Sequence, residues 1–147
     1  MKNNQKGFTL IELLAIIVIL AVIALITTPI ILNVVENSRK NAAKDKAYGV
    51  VDAVKLAYST ELLNDTTTLG ESGSNITVIF SGGDNLPKIG DTSIKISGDI
   101  PTKGTVTLNL TSGNVTATKL FFAGDKYCCN VDASGKESCE KKEATAC

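Results

Sequence analysis

From Leu13 to Ile26 the chain is apolar without interruption, and the longer stretch from Phe8 to Leu32 holds a single ionisable side chain, Glu12. As one helix that stretch would extend roughly 37 Å at about 1.5 Å per residue, against about 30 Å of bilayer hydrocarbon. A segment apolar on every face must be covered by lipid or by other helices, because a small domain presents only one face to such an element. The remaining sequence has the opposite character: after Asn64 it is rich in Thr, Ser, Gly, Asn and Asp. The chain therefore reads as a membrane-spanning helix followed by one modest polar domain, which its 147 residues are enough to build.

The flanks of the apolar run set its expected orientation and fate. Lys2 and Lys6 precede it with no acid, as on a cytoplasmic side, although Arg39, Lys40, Lys44 and Lys46 follow it. Its end reads ALITTPI, without the small-residue pattern that a secretory peptidase needs, so the segment is expected to stay attached. Lysine plus arginine and aspartate plus glutamate number 15 each, which gives no basic excess to mark nucleic acid as a main partner. Histidine is absent, removing the commonest general base and metal ligand. No phosphate-binding glycine loop, zinc-protease motif or nucleophile elbow is present, so neither an enzyme nor a cofactor is expected.

An acid at a bilayer centre costs about 2.5 to 3.5 kcal/mol on insertion scales and less toward the interface, so Glu12 calls for a partner. The first helical turn supplies part of one through the positive end of the helix dipole. Its surroundings say more. A short basic leader ends in Gly7, Phe8 follows, the glutamate stands four residues later within FTLIELL, and the apolar run carries Pro29. In this joint spacing the sequence resembles the type IV pilin and pseudopilin family. The resemblance implies cleavage by a prepilin peptidase between Gly7 and Phe8, N-methylation of Phe8, and polymerisation with like or related pilins on an assembly platform protein. It implies that Glu12 pairs with the amino terminus of a neighbouring subunit and sets register, and that Pro29 marks a bend or a locally unwound turn. The hydroxyls of Thr27 and Thr28 stand ready to satisfy backbone groups that the proline frees.

Beyond Asn33 the pattern turns amphipathic, with Ala47, Val51, Val54, Tyr58 and Leu62 on one helical stripe and Gly49 as a weak point. The helix is expected to run from about Phe8 to Leu63. After a linker, NITVIFS, SIKIS, GTVTLNL, VTATKLFFA and KYCCNV read as strand candidates, with SGGDNLPKIGD as a loop and TSGN as a hairpin turn. The expected fold is α+β: a long N-terminal helix, half membrane-spanning and half amphipathic, packed on an antiparallel sheet of about four strands as a pilin-like roll. The organisation reads as a leader at 1–7, a transmembrane and assembly half at 8–32, an amphipathic half at 33–63, and a polar β domain at 64–147.

Cys128, Cys129, Cys139 and Cys147 crowd the C-terminal region. A bond between the adjacent pair would be strained, so Cys128 and Cys129 are each expected to pair with one of Cys139 and Cys147, in an order the sequence leaves open. Zinc is the competing reading, weakened by the lack of C-x-x-C hooks. Family members often close a C-terminal loop in this way. N-x-T triplets at Asn64, Asn75, Asn109 and Asn114 are formal glycan acceptors of a kind a threonine-rich chain produces by chance.

The expected function is a structural subunit of a type IV pilus or a type II secretion-like pseudopilus. The subunit would sit as a single-pass membrane protein with its C-terminal domain outside the cytoplasm, and at the cell surface once assembled. Two alternatives stand beside it: a minor pseudopilin of a DNA-uptake system, and a signal-anchored membrane protein with another extracytoplasmic activity.

Overall fold

The computed structural model describes residues 7–64, 69, 74–83, 86–143 and 147. The leader lysines Lys2 and Lys6, most of the linker and the last two residues of the Asn64 triplet lie outside the described residues. The chain forms two compact units, Met1–Ser38 and Arg39–Cys147. One helix, α1 (Leu10–Asn64), contributes to both.

In the first unit every described side chain is solvent-facing except that of Glu36, which is half-buried. The helix here is long and apolar enough to cross a membrane. Isoleucine, leucine, valine and alanine occupy all its faces, so no packed side distinguishes itself from a free one. Backbone hydrogen bonds close within the helix, which suits it to a medium that offers none.

In the second unit α1 buries Ala43, Ala47, Val50, Val51, Val54, Ala57, Tyr58 and Glu61. The expected stripe holds through Tyr58 and fails at Leu62, which is 43% exposed, while Glu61 beside it is 3% exposed. The reversal has a polar cause. The Glu61 carboxylate accepts the backbone N–H groups of Asp91 and Thr92 at 3.1 and 3.0 Å and the Thr92 hydroxyl at 2.5 Å. Gly90 makes the approach feasible: its φ is +58°, and a Cβ there would lie 2.2 Å from the Glu61 carboxylate oxygen. A buried acid is acceptable because its oxygens are met by donors. Gly49 has open space where a Cβ would point, so no close contact explains it.

Five antiparallel strands form the main sheet in the order β1 (Asn75–Phe80), β4 (Lys103–Asn109), β5 (Val115–Phe122), β6 (Tyr127–Val131) and β7 (Glu137–Lys141). The count exceeds the expected four because β7, ESCEK, alternates around one cysteine instead of a run of valines and isoleucines. SIKIS is not a sheet strand. Its first residue closes a two-stranded hairpin of β2 (Lys88–Ile89) and β3 (Thr92–Ser93), inserted between β1 and β4, and β2 falls inside the stretch expected to be loop. Ile89 within that hairpin and Ile94 just after it are fully buried, which anchors it to the core.

The inner face of the sheet supplies Val78, Phe80, Val106, Leu108, Leu120, Phe122, Tyr127 and Val131 to the same core as the helix residues. Each large side chain buried in this way contributes about 1.5 to 3 kcal/mol by leaving water. Between β5 and β6 the ladder lapses, and the buried Thr118 hydroxyl fills the gap, donating to the Val131 carbonyl and accepting its N–H at 2.6 and 3.0 Å. Asn109 spans the β4–β5 turn: its Oδ1 accepts the N–H groups of Thr111 and Ser112, and its amide donates to Asn75. Two of the formal glycan acceptors are thereby engaged with each other across the β1–β4 ladder.

Charged pairs tie α1 to the sheet. Lys46 bridges Asp99 at 2.6 Å and Asp125, and Lys44 meets Glu137 at 3.0 Å. The Tyr48 hydroxyl donates to the Gly135 carbonyl and lies beside Glu137. That hydroxyl, then the Lys44 ammonium, hold the Glu137 carboxyl below its ordinary range. Ser134 and the Lys136 N–H do the same for Asp132, and Lys142 for Glu140. A depressed carboxyl stabilises the fold fully above its ordinary value near 4 and loses that contribution as pH falls through the lower folded value. Lys46 is raised by Asp125 and then Asp99, so its contribution persists through neutral pH and fades only above about 10.4. The midpoint of thermal unfolding, followed by circular dichroism, should hold steady from about pH 9 to 5 and drop below about pH 4. A midpoint unchanged down to about pH 2 would show that these carboxylates contribute nothing.

Candidate processing and assembly site

Gly7, Phe8 and Thr9 precede the helix without regular structure and are exposed. The helix begins where it does because Thr9 caps it. The Thr9 carbonyl accepts the Leu13 N–H at 3.2 Å, and its hydroxyl accepts the Glu12 N–H at 3.3 Å. Glu12 reaches back in return, its Oε2 accepting both the Thr9 N–H and the Thr9 hydroxyl at 2.8 Å. This is a reciprocal capping box, a role beyond the charge of Glu12, and its signal is T-x-x-E in TLIE.

The cap has two chemical consequences. It starts the helix at Leu10, leaving the Gly7–Phe8 peptide bond outside the hydrogen-bonded ladder. No Cβ contact restricts Gly7, and Phe8 is 82% exposed. It also holds the Glu12 carboxylate against the N-terminal end of its own helix, with acceptor capacity left for a further donor. Residues 2–28, which include Gly7, Phe8 and Glu12, match the family described as the prokaryotic N-terminal methylation motif. The chain carries a type IV pilin-like prepilin signal. The match stops at residue 28, and no curated protein and no solved structure matches the chain.

Pro29 lies just past the matched segment and inside α1, which continues through it. Thr27 and Thr28 do not serve the Leu25 carbonyl that the proline leaves without its usual donor. Thr27 bonds the carbonyl of Ile23 at 3.0 Å and Thr28 that of Ala24 at 2.6 Å, each reaching four residues back. A helical threonine hydroxyl points toward that position, so the expected service falls one carbonyl short.

The cysteine region resolves the pairing left open in the sequence. Cys129 bonds Cys139 directly across the β6–β7 ladder, and Cys128 bonds Cys147. Neighbouring strand residues point to opposite faces, so one bridge lies in the core, with the Cys129 sulfur 3.5 Å from the Ala43 carbonyl, and the other on the far side of the sheet. All four sulfurs are in bridges, and no metal-binding cluster occurs among the described residues. With the prepilin signal, the long apolar helix fits a membrane-anchored protein of pilin or pseudopilin-precursor type.

Proposed function

We propose that this chain is the precursor of a structural subunit which prepilin peptidase cuts between Gly7 and Phe8 and methylates at Phe8. The mature form polymerises with like or related pilins, through an assembly platform protein, into a type IV pilus or a secretion-type pseudopilus. The observation that supports this reading best is the combination at the N-terminus: an exposed Gly7–Phe8 bond, a capped carboxylate four residues beyond Phe8, and a helix whose apolar side chains from Leu10 to Val35 are exposed. Lipid covers that helix before assembly, and equivalent helices of neighbours cover it afterwards.

Cleavage converts the Phe8 amide nitrogen into an amine that is cationic at neutral pH. In a filament the amine of one subunit meets Glu12 of another, and the pair fixes axial position because an unpaired charge in that dry setting is penalised. The subunit needs no catalysis for this role, and its C-terminal domain lies outside the cytoplasm.

Intact mass with N-terminal fragmentation, on protein from its native membrane or surface fraction, tests the reading. A chain beginning at N-methylated Phe8 is expected. A chain that retains Lys2 in cells with active prepilin peptidase would overturn it and leave a signal-anchored protein.

A further inference from the structure

On the face of the sheet turned away from α1, a groove of about 480 Å³ lies across β1, β4 and β5. Two registered rows build it. Ile79, Thr105 and Lys119 stand side by side on the three strands, and Lys103 stands opposite Phe121 in the next row. Ser81, Thr102 and Cys147 complete the wall. Its apolar floor is unusual for this surface: beyond Leu63, Ile79 is the one large apolar side chain among the described residues that is exposed, at 66%.

The charge of this face is one-sided. Lys103 and Lys119 are the only charged side chains in β1, β4 and β5, and no aspartate or glutamate side chain lines the groove among the described residues. The lysines that tie the helix to the sheet, and Lys142 at the β7 edge, each have a carboxylate partner, whereas none of the ion pairs among the described residues includes Lys103 or Lys119. An exposed apolar side chain on β1, two cations on β4 and β5 and a rim of hydroxyls complement an extended segment that presents an apolar side chain together with carboxylates. Alternation in an extended chain puts residues i, i+2 and i+4 on one face, so a segment with acid, apolar and acid at every second position presents both kinds of group to the groove. Nucleic acid fits less well. Phe121 is only 5% exposed and offers no ring for a base to stack on, and two lysines neutralise few phosphates.

We propose that this groove docks an acidic extended peptide segment of a partner protein, with Ile79 as the apolar contact and Lys103 and Lys119 as its charge-reading groups. The proposal goes beyond polymerisation through the N-terminal helix, and its test does not depend on the chain forming filaments.

The full chain, labelled at isoleucine δ1-methyl groups and held in phosphatidylcholine nanodiscs, is titrated with acetyl-Asp-Thr-Leu-Thr-Asp-amide at low salt and observed by NMR. The Ile79 methyl signal should shift saturably, while the core methyls of Ile89 and Ile94 stay in place and report an intact fold. Replacing both peptide acids by asparagine, or introducing K103E with K119E, should weaken binding by about tenfold, and so should raising salt toward 1 M. No Ile79 shift at millimolar peptide, or equal binding of the asparagine peptide, would overturn the proposal. A tighter response to pentathymidylate than to the peptide would also overturn it, in favour of a nucleic-acid surface.

Discussion

Glu12→Ala should leave the chain cut ahead of Phe8 and resident in the membrane, while surface filament or pseudopilus yield falls by at least about tenfold, because an amine buried without its carboxylate is strongly penalised. Quantitative immunoblotting of sheared surface and membrane fractions reads both quantities. The capping box complicates a bare alanine result, since Glu12→Ala also removes the acceptor for the Thr9 N–H and hydroxyl. Two further variants separate the roles. Glu12→Gln keeps an oxygen for the cap, as glutamine serves at this position of a capping box, but carries no charge. Thr9→Ala keeps the charge and removes the hydroxyl. If pairing with the amine governs assembly, Gln should fail as Ala does and Thr9→Ala should assemble. Normal filament yield from Glu12→Gln would remove the ion pair from the account and leave the cap as what Glu12 supplies.

Gly104→Ala should be the most damaging single-methyl change in the sheet. Gly104 sits in β4, paired on both sides, with φ at +147°, and a Cβ there would lie 2.2 Å from the Lys119 carbonyl oxygen and 2.9 Å from the Leu120 Cα. Both obstacles are backbone, which cannot swing aside as a side chain would. Strained backbone and overpacking each cost about 1 to 3 kcal/mol, so a combined loss of about 3 kcal/mol or more is expected. For a unit of this size that lowers the unfolding midpoint by about 10 to 20 °C. Gly49→Ala is the matching control. It lies in α1 with open space around the new methyl and should stabilise by up to about 1 kcal/mol. A midpoint for Gly104→Ala within about 2 °C of the parent would show that β4 can shift to accept the methyl, contrary to its pairing on both sides.

Much of the N-terminal half was legible because its information is local. Apolar residues on every face, a lone carboxylate at a fixed distance from Gly7–Phe8, and basic residues ahead of them are properties of neighbours in the chain. The capping box is equally local, but it is carried by the hydrogen-bonding capacity of Thr9 and Glu12 and not by charge. The α+β class followed from a helical stripe and a set of period-two segments. The fold departs from the local pattern where a distant contact overrides it. Glu61 turned inward and Leu62 outward because a turn some thirty residues away presents N–H donors at the right place. SIKIS has the composition of a strand, yet it finds no edge of the main sheet to join. β7 joins the sheet with little local strand signal, because Cys139 faces Cys129 across the ladder.

The membrane-length helix, the prepilin signal at its head and the expectation that Cys128 and Cys129 each pair with one of Cys139 and Cys147 are all present in the unfolded chain. Those features depend on spacing along the chain, and spacing is visible without folding. The tertiary structure decided which cysteine meets which, since that choice depends on the face of β6 each one occupies. It also decided that Lys103, Lys119, Ile79 and Phe121 share one groove. Nothing along the chain relates residues that far apart. They become neighbours only when antiparallel pairing sets the register of three strands and turns their alternate side chains to a single side.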